Sequence, residues 1–105
     1  MFTREIEDSV VPAAIELGVT LIPYAPLGRG ILTETGIASQ LTTGDARSNF
    51  PRFAPEHHDA NSRLVSTIEA LATAHGISAA LLALAGLHAR ARRLDVKPVP
   101  IPGTR

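Results

Sequence analysis

The chain has no cysteine and no tryptophan, one tyrosine, three phenylalanines and one methionine among its 105 residues. Without cysteine there is no disulfide, no thiol nucleophile and no thiolate metal site, a composition that fits the cytoplasm. Net charge is missing as well, because ten basic side chains balance ten acidic ones. That balance removes the electrostatic argument for a nucleic-acid partner or an anionic membrane surface. Nothing approaches 18 apolar residues in a row, so no membrane span is expected. The opening MFTREIEDSV is too acidic and polar for a secretory leader. Lysine is nearly absent, and the only dense basic group is Arg90, Arg92 and Arg93. With no interleaved aromatics, these three read as a solvated helix end.

What remains is 45% hydrophobic, which is globular composition for one domain or part of one, with room for a small core. The stretch TREIEDSVVPAAIELG predicts a helix over 3–18. Thr3 can cap it, Glu5, Glu7 and Asp8 suit its positive end, and Gly18 fits the C′ position. Ile6, Val10, Ala14 and Leu17 form its apolar stripe. Pro12 interrupts the pattern, so either the helix bends there or its regular part starts near that residue. Residues 18–24 read as a short buried strand, with Pro23 at its end.

Residues 28–60 form a long connection rich in Gly, Thr, Asp, Asn and Pro, of a length that is functional or disordered in compact domains. A helix follows over 61–76, with Asp59 or Asn61 as cap, Leu64, Ile68, Leu71 and Ala72 on one face, and Gly76 as stop. A second helix spans 77–93, capped by Ser78, with Leu81, Leu84, Ala85 and His88 as its stripe. Gly86 inside it costs about 1 kcal/mol relative to Ala. VKPVPIPGTR at 96–105 is a second strand candidate.

The order is helix, strand, long loop, two helices, strand. A two-helix crossover predicts that the strands are parallel neighbours. Two strands do not enclose a core, so the expectation is a piece of a larger α/β domain. Its open edges and helix faces offer a route to self-association.

Several polar residues have plain structural readings. His57 and His58, beside Glu56 and Asp59, are adjacent, and adjacent residues rarely converge as metal ligands. His75 reads as a helix-end residue and His88 as a packing residue. Asp45 and Arg47 are a candidate loop-closing pair. Tyr24 alone would read as packing, and Pro26, Gly28 and Gly30 as turn formers.

YAPLGRGILT at 24–33 and PIPGTR at 100–105 give these residues a different meaning. The first resembles the segment after the seventh strand of the NADP-dependent aldo/keto reductases, and the second resembles the end of their eighth strand. GDARSNFPRF at 44–53, DAN at 59–61 and AALLALAGL at 79–87 fit between them in order. TREIEDSVVPAAIELGV resembles the helix leading into the seventh strand.

The fold implied is an α/β one: a C-terminal fragment of a (β/α)8 TIM barrel covering about its last two strands and their helices. Residues 1–105 would be a partial reductase domain, and 28–60 a long loop on the cofactor side. The resemblance implies NADPH-dependent reduction of a small-molecule aldehyde or ketone. Tyr24 would stack on the nicotinamide, and Ala25, Pro26, Leu27, Gly28, Arg29 and Gly30 would follow the pyrophosphate. Ile101, Pro102, Gly103, Thr104 and Arg105 would lie towards the adenosine 2′-phosphate. Glycine amides would serve phosphate oxygens, and Arg29 or Arg105 would fork onto phosphate.

The family's catalytic Tyr, Lys, Asp and His belong to the first half of the barrel, so no catalytic residue is assigned here and no activity is expected of this chain alone. Ala25 stands where the family usually has Ser. Leu81 and Gly86 stand where it has Gln and Trp. The competing expectation is a non-enzymatic remnant or interaction module that packs through its apolar helix faces.

Overall fold

The computed structural model describes residues 4–33, 41 and 43–103. A 3-10 turn at Glu5–Glu7 precedes helix α1, Val10–Glu16. Pro12 is the third residue of α1, within the first turn, where its missing N–H has no intrahelical partner to lose. Of the two readings of Pro12, the later start is therefore the observed one. The expected cap Thr3 lies outside the described residues.

α2 is His58–Ala74 and α3 is Ala79–Arg93. The break between the last two turns the chain by 93°. Ser78 caps α3 as expected, its Oγ accepting from the Leu81 N–H at 3.2 Å. α2 starts earlier than expected and without a side-chain cap. The 3-10 turn Pro55–His57 runs straight into it, and Asn61 instead donates to the Arg52 carbonyl at 2.7 Å.

The three α-helices among the described residues close in the same way. The amides of Val19, Ile77 and Val96 donate to the carbonyls of Ala14, Ala72 and Ala91, at 3.0, 3.0 and 3.1 Å. This closure needs a left-handed residue one position earlier. Gly18 and Gly76 supply it at φ 64° and 65°, and Asp95 supplies it at φ 55°.

The strands shrink to isolated parallel bridges, Leu21 with Pro98 and Tyr24 with Ile101. Three hydrogen bonds link them: Leu21 N–H to Lys97 O at 3.0 Å, Val99 N–H to Leu21 O at 2.8 Å, and Ile101 N–H to Pro23 O at 3.2 Å. The parallel direction agrees with the crossover argument. The ladder is thin for a chemical reason: Pro23 cannot donate across it. Amides alternate sides along a strand, so those of Val99 and Ile101 face residues 21–23. Pro98, Pro100 and Pro102 occupy the opposite edge, which has no donor at those positions.

The core lies under the first loop. Ile31, Leu32, Val65, Ile68, Ala79 and Ala83 form one buried cluster, with Leu27, Phe53 and Leu82 packed against it. The helix faces differ in part from the expected stripes. α1 buries Val11 and Ala14 while Ile6, Val10 and Leu17 are exposed. α2 buries Val65, Ile68 and Ala72 while Leu64 and Leu71 are exposed, and α3 buries Ala79, Ala83 and Ala91 while Leu81 is exposed. Ala14, Ile68 and Ala72 are buried on the expected stripes, whereas their stripe neighbours Val10, Leu64 and Leu71 stay exposed. Ala79 and Ala83 of α3 meet Val65 and Ile68 of α2 in the cluster, and several large residues stay uncovered.

A polar link joins the two ends of the described chain. The Glu7 carboxylate accepts from Arg4 Nε at 2.9 Å and from Arg90 Nε at 3.1 Å. Arg90 is exposed at the end of α3, as expected, and is also paired across the fold. No single helix among the described residues is long and apolar enough to cross a membrane.

Leu32, 1% exposed, is the most enclosed large side chain. Leu32→Ala is expected to cost about 2–5 kcal/mol, read as a fall in the urea midpoint; an unchanged midpoint would show that the cluster does not hold the chain together. The hydrogen bonds from Arg4 and then Arg90 lower the Glu7 carboxyl from its ordinary 4.5 to about 2. A group lowered on folding contributes stability that is complete above its unfolded value and lost as pH falls through its folded one. The stability advantage of the chain over Glu7→Gln should therefore be full at neutral pH and shrink as pH drops from 4.5 towards 2. Urea titrations of both proteins across that range check this.

Candidate functional site

The loop that leaves residue 24 is built from unusual backbone. Ala25, Gly28, Arg29 and Gly30 all have positive φ, at 47°, 62°, 58° and 93°. Gly30 is furthest from what an L side chain adopts, and an added Cβ there would meet Arg47 Nη1 at 3.7 Å. The curled loop is closed by Gly28 N–H to Ala25 O at 2.9 Å and Gly30 N–H to Leu27 O at 3.1 Å. In this structure both glycine amides are taken up within the turn itself.

Beyond Gly30, Leu32 N–H returns to Leu27 O at 3.1 Å, and Thr33 Oγ1 donates to Gly30 O at 2.7 Å. Ile31 and Leu32 then enter the core. The loop is therefore fastened at its far end by buried apolar surface and at its near end by the bridge at Tyr24.

That bridge carries the site. It sets Tyr24 directly beside Ile101, so the YAPLGRG and PIPG stretches, distant in sequence, come to one edge of the fold. Tyr24 is 72% exposed. Pro102 and Gly103 follow Ile101 and are exposed, while Thr104 and Arg105 lie outside the described residues.

Residues 44–53 fold back over the loop. Asp45 caps the 3-10 turn Ala46–Asn49, accepting from Arg47 N–H at 2.9 Å. The same carboxylate takes Arg47 Nε at 3.0 Å and Nη2 at 2.7 Å. The expected Asp45–Arg47 pair forms, largely shielded from solvent, and the hydrogen bond to Asp45 raises the Arg47 guanidinium above its ordinary value. The next 3-10 turn, Pro51–Phe53, starts at a proline whose missing amide is harmless there. The Arg29 guanidinium lies 3.8 Å from the Phe50 ring centroid and 5.4 Å from that of Tyr24. Burial pushes the Arg52 guanidinium below its ordinary value, and the charge of Arg29 adds to this. Two cationic groups and two exposed aromatic rings thus border one patch.

No sequence signal points to Phe50 and Arg52 beside this patch. Twenty or more positions separate them from Arg29, and neither spacing nor periodicity reveals a loop that doubles back. His57 and His58 sit exposed at the start of α2. Among the described residues no three His, Asp or Glu side chains are grouped as metal ligands.

A backbone curl at the end of a parallel segment, beside the end of the next, is an arrangement typical of α/β ligand loops. The chain belongs to the aldo/keto reductase family, which it matches over residues 1–105. It is 40% identical over 104 residues to the probable aldo-keto reductase 1 of Glycine max, covering 99% of this chain and 29% of that protein. It also superposes on the glycerol dehydrogenase AKR11B4 from Gluconobacter oxydans with a TM-score of 0.74, at 26% identity, over 95% of this chain and 30% of that one. The chain therefore spans less than a third of the length of these relatives, and its fold is a portion of a (β/α)8 barrel. The two thin parallel pairings fit such a portion.

Asp45→Ala removes both the cap and the Arg47 pair. Amide exchange at Arg47 and Ser48 should accelerate about fivefold, the factor that accompanies the roughly 1 kcal/mol of a lost cap. Exchange left at the wild-type rate would mean that 44–53 is held by other contacts.

Proposed function

We propose that this chain forms part of the cofactor side of an NADPH-dependent aldo/keto reductase acting on a small-molecule aldehyde or ketone. The observation that carries this reading is the Tyr24–Ile101 bridge, which puts the two motif-bearing segments side by side. The exposed Tyr24 ring is the surface on which the nicotinamide would stack. The positive-φ curl from Ala25 to Gly30 would follow the pyrophosphate, with Arg29 offering guanidinium N–H groups to its oxygens. Ile101, Pro102 and Gly103, continued by Thr104 and Arg105, would face the adenosine 2′-phosphate. Residues 28–60 would be the loop on that side of the barrel.

The cofactor, when bound, supplies the hydride. In this reading the residues here orient its ring and phosphates, and the groups that polarise and protonate the carbonyl come from the rest of the barrel. The chain alone would have no reductase activity. A cytoplasmic setting suits the absence of cysteine.

A second reading, as a module that packs on a partner or on itself, draws support from the exposed Leu17, Val19, Ile22, Val99 and Ile101. One experiment separates the two. Two-dimensional amide spectra of the purified chain, recorded without and with excess NADPH, should show shifts at Gly28, Gly30 and Gly103. The same sample should not turn over a simple aldehyde. A dispersed spectrum indifferent to NADPH, or one broadened by association, would favour the packing module over the cofactor reading. Aldehyde turnover would overturn the claim of inactivity.

A further inference from the structure

Arg29 holds a place that its neighbours alone do not explain. It is a non-glycine residue in the left-handed region, φ 58° and ψ 38°, a conformation that a bulky residue adopts only when its surroundings enforce it. Its guanidinium lies close over the Phe50 ring and within reach of the Tyr24 ring, at 3.8 and 5.4 Å from the centroids. Phe50 belongs to the segment fixed by Asp45, while Tyr24 stands at the bridge with Ile101. We propose that Arg29 is a positioning residue: its planar cation couples residues 44–53 to the Tyr24 ring and limits the orientations that ring can take. A guanidinium that rests on aromatic rings keeps N–H groups at its rim for other partners. The value of this for nicotinamide stacking rests on the function proposed above, but the coupling itself does not.

The chain contains its own reporter, because Tyr24 is the only tyrosine and there is no tryptophan. Time-resolved anisotropy of Tyr24 emission, with no cofactor added, reads ring freedom directly. Arg29→Gln and Phe50→Leu are each expected to lose the slow, restricted component, their combination to lose no more than either, and Phe50→Tyr to keep it. Far-UV circular dichroism establishes that each variant retains its helices.

Wild-type anisotropy in a folded Phe50→Leu chain, or equal losses in Phe50→Leu and Phe50→Tyr, would overturn the coupling. If Phe50→Leu unfolds, Arg29→Lys decides. Its ammonium keeps the charge but cannot lie flat against two rings, so it should behave as Arg29→Gln does. Wild-type anisotropy in Arg29→Lys would reduce the role of Arg29 to charge alone. Failure of NADPH to bind, with the coupling intact, would count against the cofactor reading and leave this inference standing.

Discussion

The burial of Ile31 and Leu32 between α2 and α3 is the contact on which the rest depends. These residues follow the curl of 25–30 without a spacer, so the loop cannot drift without pulling apolar surface back into water. The same burial fixes where α2 and α3 sit, because Val65, Ile68, Ala79 and Ala83 complete the cluster. A loop anchored in this way behaves as an extension of the core. Its strained backbone is maintained by packing a few residues away, the general manner in which unusual φ values persist at sites.

A second tie acts from the other side of the molecule. α1 feeds the segment at 19–24 and α3 feeds the segment at 97–101, and Glu7 holds Arg90 next to the turn where α1 begins. The two segments are thus linked by three backbone hydrogen bonds, and the helices that feed them by a charge-assisted contact. The residues between are short and stiff, two closed helix ends and a handful of prolines, which leaves little slack for the bridges to slip.

Much of this was legible in the residues. Ser78, Gly18 and Gly76 announce helix ends through local chemistry, and local chemistry is what a sequence displays. The crossover order gave the parallel pairing, and the two motifs gave the family. Three things were hidden because each depends on distant neighbours. Helix phase is legible only in part: Ala14, Ile68 and Ala72 are buried as the stripes predict, but Val11, Val65 and Ala83 are buried beside them, since burial is decided by what packs opposite. Asp95 ends α3 in a left-handed conformation that no glycine advertised. The approach of Phe50 to Arg29 required knowing that 44–53 turns back. The strand candidate at 18–24 reduces to isolated bridges at Leu21 and Tyr24 on either side of Pro23.

The run of alternating prolines at 98, 100 and 102 gives the fold a polarity of another kind. Its free side presents carbonyl oxygens without amides at those positions, so it is a socket with no matching plug on its own kind. Two such edges brought together would set acceptor against acceptor, and like edges would repel. A neighbouring strand can be seated there only by contributing the hydrogens itself. The edge thus discriminates against a copy of itself and in favour of a strand with an ordinary backbone, a form of selectivity written in ring closure at three nitrogens and independent of any side-chain contact.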